Sequence, residues 1–339
     1  MSQREPDNLI GESTHFLECL ERVSRVAELD RPVLVVGERG TGKELIAARI
    51  HYLSQRWDQP LVKLNCAAIN ENLLESELFG HEAGSFTGAK GKHAGRFELA
   101  DNGSLFLDEL ATSSPLVQEK LLRVIEYGEF ERVGGSKTLN VNVRLIAATN
   151  EDLPTLAEQG KFRHDLLDRL AFDVITLPPL RHRPEDILLL AHNFAVKMSL
   201  ELGMAVFHGF SKHAEQQLMD YHWPGNIREL KNVIERTVYL SNRDDRIEQL
   251  ILDPFDSPFR PSDKKADAGQ SQQTRSTGSV MTNPEFPIDL KSMMQTTEVE
   301  LINSALEHAQ FNQKKTADIL GLTYHQLRGY LKKYKLLDS

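Results

Sequence analysis

Apolar residues return at helical spacing between Ser13 and Leu29, at Phe16, Leu17, Leu20, Val23, Val26 and Ala27, and the pattern stops at Arg31-Pro32 before the unbroken run VLVV. The reading is a helix followed by a buried strand. Four more short apolar runs follow, LVKL at 61–64, SLFL at 104–107, VRLIAA at 143–148 and FDVITL at 172–177. Helical patterns separate them. One is SPLVQEKLLRVIEY, where Ser114 suits an N-cap and Pro115 the first helical position, since a proline there gives up no hydrogen bond. Strand alternating with helix predicts an α/β fold, a parallel sheet sandwiched by helices.

Past residue 178 the strand signal fades. Three helical segments begin near Pro184, Ser211 and Pro224, the last with Ile227, Leu230, Val233, Ile234 and Val238 on one stripe. Residues 253–288 are rich in Pro, Ser, Gly, Asp and Gln without sustained periodicity, which is the composition of a linker. A final helical unit closes the chain. The expected division is 1–177 (α/β), 178–252 (helical), 253–288 (linker) and 289–339 (all-α).

Charge narrows the classes of partner. A net charge of −9 over 339 residues argues against a chain that coats nucleic acid or anionic membrane along its length, so any basic function is local. Cys19 and Cys66 stand in no metal-like spacing and suit a reducing compartment. No signal-like start or long apolar run is present, and a cytoplasmic protein without membrane insertion is expected.

The chemistry begins directly after VLVV, where Gly37, Glu38, Arg39, Gly40, Thr41, Gly42, Lys43 and Glu44 spell GERGTGKE ahead of a helical stretch. Glycines let backbone N–H groups face a phosphate, a helix N-terminus adds partial positive charge, and Lys43 adds a full one. This is a P-loop whose last position carries Glu44 in place of the usual hydroxyl residue. SLFLDE then ends a buried strand in two carboxylates, with Asp108 suited to hold Mg2+, directly or through water, and Glu109 to orient an attacking water. Together the two motifs imply ATP hydrolysis.

Seven stretches in order, GERGTGKE, ESELFGHEAGSFTGA, GSLFLDEL, ERVGG, FRHDLLDRLAF, LPPLRHRPEDI and WPGNIRELKN, make residues 8–252 similar to the AAA+ domain of sigma-54-dependent bacterial enhancer-binding proteins. In that family Glu stands at the Glu44 position. The resemblance implies further roles: Asn65 as the switch that holds Glu109, Thr149 and Asn150 as sensors of the terminal phosphate, and Arg163 and Arg169 as arginine fingers acting on a neighbouring subunit. It also implies Arg228 as the sensor on the lid and Ile10 and Gly11 as adenine contacts. A closed ring, by analogy a hexamer, follows if the fingers act in trans.

Gly84, Ser85, Phe86, Thr87, Gly88 and Ala89 form an uncharged, glycine-rich insertion that a packed helix would not tolerate, with an aromatic tip of the kind binding surfaces use. In the resembled family this loop reads Gly-Ala-Phe-Thr-Gly-Ala and touches sigma-54 in the RNA polymerase holoenzyme; here Ser85 replaces Ala. The stretch EYGEFERVGGSKTLNVN is expected beside it as a second loop, with Arg132 and Glu98 relaying nucleotide state.

Near the end, Phe311–Leu337 holds Lys314, Lys315, Arg328, Lys332, Lys333 and Lys335 against the single acid Asp318. Thr323 with Gln326 makes a capping box that starts a second helix after the turn at Gly321-Leu322. The pattern resembles a Fis-type helix-turn-helix for enhancer DNA, with Tyr324, His325, Gln326 and Arg328 toward base edges and Lys332 and Lys333 toward phosphate. A basic helical oligomerisation unit is the other reading. The AAA+ match starts within about ten residues of Met1, so control is expected from expression level or from a separate inhibitor protein, for which Trp57 is a candidate docking residue if exposed. The rival to a sigma-54 activator is a DNA-binding regulator that keeps this fold without activating sigma-54; an AAA+ nucleic-acid remodeller is disfavoured by the uncharged loop tip.

Overall fold

The computed structural model describes residues 9–85, 91–242, 245–255, 290–309 and 312–334. Its strands are Val33–Val36 (β1), Leu61–Asn65 (β2), Ser104–Asp108 (β3), Glu129–Glu131 (β4), Thr138–Asn140 (β5), Arg144–Thr149 (β6) and Val174–Thr176 (β7). Five of them form one parallel sheet in the order β2-β3-β6-β1-β7, while β4 and β5 pair as an antiparallel ribbon. Parallel neighbours need crossovers, and helices supply them: Thr14–Ala27 (α1), Lys43–Tyr52 (α2), Glu71–Phe79 (α3), Arg96–Leu99 (α4), Pro115–Tyr127 (α5), Leu153–Glu158 (α6) and His164–Leu170 (α7). Ser114 caps α5 and Pro115 opens it.

Both faces of the sheet are covered, as the alternation predicts. Phe16, Val23, Ile46 and Ile50 of α1 and α2 meet Val33, Val35, Phe106 and Ile146 on one side. On the other, Phe79, Phe97 and Phe130 cluster with centroids 5.5 to 6.0 Å apart over Leu105, Leu107 and Leu145. Cutting one such ring to Ala costs about 3–5 kcal/mol. Strand register fixes what stands together at the carboxyl edge: Asn65 faces Asp108, Leu107 faces Ala147, and Val36 faces Thr149.

A second core lies among Pro184–Glu201 (α8), Lys212–Asp220 (α9) and Asn226–Leu240 (α10), around Trp223, which is fully buried and donates from Nε1 to the Leu218 carbonyl at 2.9 Å. The chain's start is fastened to this helical part. Ser13, which precedes α1, spends its hydroxyl and its N–H on the buried Asp186 of α8 at 2.8 and 2.9 Å. Asp186 also receives the Glu12 N–H and the Arg183 guanidinium, which stacks 3.8 Å over the Phe16 ring. Burial pushes the Asp186 carboxyl up, but these donors outweigh it and hold it below its ordinary value.

The chain separates into two compact units, residues 1–260 and 261–339. In the second, Leu290–His308 (α11), Gln313–Ile319 (α12) and Tyr324–Lys333 (α13) enclose Ile302, Leu306, Ala317, Leu327 and Leu331. Asn312 caps α12, and Thr323 with Gln326 forms the capping box of α13. Among the described residues no helix is long and apolar enough to cross a membrane.

Candidate functional site

The P-loop runs from the end of β1 to the start of α2. Gly40 and Gly42 have φ of 77° and 99°, a region costing an L side chain about 1–2 kcal/mol. A Cβ on Gly40 would also overlap the Gly225 carbonyl oxygen, whereas Gly42 faces open space. Lys43 Nζ donates to the Gly37 and Glu38 carbonyls at 2.9 and 3.2 Å, and Thr41 Oγ1 to the Glu38 carbonyl at 2.8 Å. Burial holds the Lys43 amine below its ordinary pKa against the opposing pull of Asp108 and Glu109. A buried cation at a helix N-terminus, with carbonyls as its close partners, fits an anion. Glu44 pairs with Lys63 of β2 at 2.9 Å.

At the ends of β2 and β3, Asp108 accepts the Glu109 N–H at 3.0 Å and lies 3.4 Å from Asn65 Nδ2. Asn65 Oδ1 accepts from Ala67 and Ala68, capping a short helical turn. The side chain expected to hold Glu109 therefore touches Asp108. Glu109 instead lies 3.7 Å from Arg39 Nε, on a backbone with φ 54°, a conformation uncommon outside glycine and Asn and typical of strained functional positions. Thr149 accepts the Gly37 N–H on its carbonyl, and Asn150 Oδ1 is buried without a partner among the described residues. A cleft of about 1150 Å³ is lined by Gly40, Gly42, Lys43, Glu44, Lys63, Asp108, Glu109 and the lid's Arg228, whereas Asn65, Thr149 and Asn150 do not line it. Leu9, Leu45, Ala48 and Ile227 give it apolar wall. Leu9, not Ile10 or Gly11, reaches that wall: Ile10 packs against the helical core and Gly11 is wedged between Phe16 and Arg183.

The uncharged insertion leaves the body of the fold at a bridge between His81 and His93, whose backbones exchange both hydrogen bonds. Gly84 and Ser85 begin it; Phe86, Thr87, Gly88 and Ala89 lie outside the described residues. The second loop stands beside it, as β4, β5 and the turn between them. Glu82 donates its N–H to the Val133 carbonyl, and Gly134 packs on Ser85. Arg132, almost wholly buried, donates to Glu82 at 2.7 Å and to Glu98 at 2.9 Å. Burial raises the Glu98 carboxyl, but Arg132 and the Gly95 N–H bring it below its usual value.

Residues 9–176 match the Sigma-54 interaction domain family, 181–269 the AAA+ ATPase lid domain and 294–334 the Fis family of bacterial regulatory proteins. The Psp operon transcriptional activator of Escherichia coli K12 is 57% identical over 97% of this chain and 98% of its own length. The chain belongs to the sigma-54-dependent activators. Nitrogen fixation protein AnfA of Azotobacter vinelandii is 44% identical over 97% of this chain, which spans 58% of AnfA. Among solved structures, NtrX of Brucella abortus in complex with ATP aligns with TM-score 0.67 and 29% identity, over 97% of this chain and 69% of NtrX.

A sigma-54-dependent activator is an AAA+ ATPase that acts on the sigma-54 polymerase and binds DNA, and each part has its place in this chain. Arg163 and Arg169, at the ends of α7, do not line the cleft; they pair with Asp165 at 2.8 Å and Glu126 at 2.6 Å on an exposed edge. In the Fis-type unit Tyr324, His325, Gln326, Arg328, Lys332 and Lys333 are exposed, but they are not equally free. Gln326 Oε1 accepts from both the N–H and the hydroxyl of Thr323, and Lys333 folds over the Tyr334 ring. Trp57 is 63% exposed. Asn226, Arg181, Arg183 and Lys63 also make contacts around the site that no sequence motif singles out by role. Only Asn226 carried a signal, as the residue of WPGN suited to a left-handed turn.

Proposed function

We propose that this activator serves a phage-shock-type operon and drives promoter opening by hydrolysing ATP between subunits of a hexameric ring. The observation that carries the ATPase part is the single cleft that Lys43, Asp108, Glu109 and Arg228 line together. Lys43 and the N–H groups of the P-loop hold the phosphates, and Glu109 orients water toward the terminal one. Thr149 and Asn150 sense that phosphate. Mg2+ fits here because it binds through one or two carboxylates, phosphate oxygens and waters, and Asp108 is its ligand or holds its water. The ion supplies charge neutralisation when bound.

Arg163 and Arg169 leave this chain's own cleft unserved, which supports their action on a neighbour's. Phe86 and Thr87 touch sigma-54, and the Arg132 bridge from Glu98 to Glu82 links that loop to the body of the fold. The Fis-type unit over 289–339 tethers the ring to enhancer DNA beyond a linker at 253–288, and the ATPase comprises 1–177 and the lid 178–252. The activator works in the cytoplasm, restrained by a separate inhibitor that docks at the exposed Trp57. The likeness to the Escherichia coli Psp operon activator supports the operon class.

One assay tests the reading. With purified protein, sigma-54 polymerase and promoter DNA, open complexes form with ATP and not with a non-hydrolysable analogue, and Phe86→Ala or Thr87→Ala abolishes opening while ATPase activity persists. Equal DNA binding under both conditions without opening would favour the DNA-binding regulator that does not act on sigma-54.

A further inference from the structure

Trp223-Pro224-Gly225-Asn226 turns the chain sharply into α10. Trp223 and Asn226 both have left-handed backbones, with φ of 49° and 52°. Asparagine tolerates this better than most residues, and Asn226 is fully buried, so its amide must be satisfied from within. It is, by two separate segments. Oδ1 accepts the Leu180 N–H at 2.8 Å, just after β7. Nδ2 donates to the Arg39 carbonyl at 3.0 Å and to Glu38 Oε2 at 3.1 Å, both on the P-loop. The amide cannot be reversed, because Leu180 offers a donor and Arg39 an acceptor.

The neighbours reinforce the contact. Arg181 grips Glu38 with two hydrogen bonds of 2.5 and 2.8 Å, and Arg228 donates its N–H to the Gly40 carbonyl at 3.3 Å. The side chain of Asn226 does not line the cleft, but those of Ile227 and Arg228 do. Whatever moves the first turn of α10 therefore moves the P-loop rim with it.

We propose that Asn226 is a positioning residue for ATP hydrolysis, its amide locking the Glu38–Arg39 rim of the P-loop to the first turn of the lid helix so that Arg228 meets the phosphates held by Lys43. The inference rests on the roles given to Lys43 and Arg228 above. Its chemistry is directional. Asn226→Asp keeps the acceptor for Leu180 but sets a carboxylate against the Arg39 carbonyl and Glu38, so it opens the P-loop side alone. Glu38→Gln then restores a donor opposite that carboxylate.

The full chain is assayed as wild type, Asn226→Asp, Asn226→Asp with Glu38→Gln, and Arg228→Ala, by steady-state ATPase kinetics, binding of a fluorescent ATP analogue and thermal melting. Asn226→Asp lowers kcat by about ten- to a hundredfold while KM and analogue affinity change by less than about threefold, and Glu38→Gln recovers most of the lost rate. Wild-type kcat in Asn226→Asp beside a damaged Arg228→Ala overturns this inference alone, as does a rate loss that tracks a lowered melting temperature and is not rescued. An inactive wild type, or a silent Arg228→Ala, overturns the underlying site reading as well. Should Asn226→Asp not accumulate folded, Glu38→Lys carries the test, since it sets donor against donor at the same contact from an exposed position: the same split supports the inference and an unchanged kcat overturns it.

Discussion

Asn65 and Asp108 face each other in register across β2 and β3, with the Asn65 amide nitrogen 3.4 Å from the Asp108 carboxylate. One amide thus serves two masters, capping the turn at Ala67–Ala68 with its oxygen and neighbouring an active-site acid with its nitrogen. Asn65→Ala removes both. The cap costs about 0.5–2 kcal/mol, read as a lowered melting temperature, and turnover falls at least about tenfold while analogue binding persists. Loss of binding in proportion to turnover would show that Asn65 only holds the fold.

The outward placement of Arg163 makes a sharper test than its simple removal. Arg163→Ala subunits keep Glu109, and Glu109→Gln subunits keep Arg163, so each preparation alone is expected to lose about 10³-fold in turnover. Mixed, some boundaries join an intact glutamate to an intact arginine. ATPase activity should then reappear on mixing and peak near equal proportions; a mixture no more active than its parts would mean that the arginine does not work across the boundary.

Asp186 predicts how stability follows pH. Its carboxyl titrates lower in the folded chain than in the unfolded one, so its contribution is complete above the unfolded value of about 3.9 and drains away as pH falls through the lower folded value. Asp186→Asn leaves the Arg183 guanidinium buried without its anion and costs about 3–5 kcal/mol at neutral pH. The gap between the melting curves of the two proteins should be full above about pH 4 and should shrink only as pH falls from there through the lower folded value. A constant gap across that range would exclude an ionised Asp186 as the source.

In the Fis-type unit, freedom of the side chain separates the candidates. Arg328→Ala and Lys332→Ala should weaken DNA binding, Lys332→Ala uniformly across sequences and with the salt slope reduced by about one. Lys333, folded over Tyr334, should matter less for the slope than Lys332. Binding measured at several salt concentrations on specific and scrambled DNA decides between them.

Much of this was legible because it is periodic or local. The sheet could be read from apolar runs, and the P-loop from the order of glycines after one of them. The pair β4 and β5 was not, since strands of three residues with polar sides, GluPheGlu and ThrLeuAsn, present no pattern longer than a turn. Nor were the contacts of Glu38, Asn226 and Arg181 legible, because they join positions up to 188 residues apart, a closeness that only tertiary packing creates. Leu9 and Ile10 differ by one step of the chain, and that Leu9 lines the cleft while Ile10 packs on the helical core is likewise settled only by tertiary packing.

The bridge between His81 and His93 sets a limit on the loop proposed to touch sigma-54, and that limit owes nothing to the loop's conformation. Eleven residues leave and return through that gate, so even at full extension the backbone at the tip can travel no more than about 22 Å from it. Under the proposed function, anything the loop grips has to be carried into that radius first, so the tether to DNA is a matter of delivery and the loop makes only the last short pull.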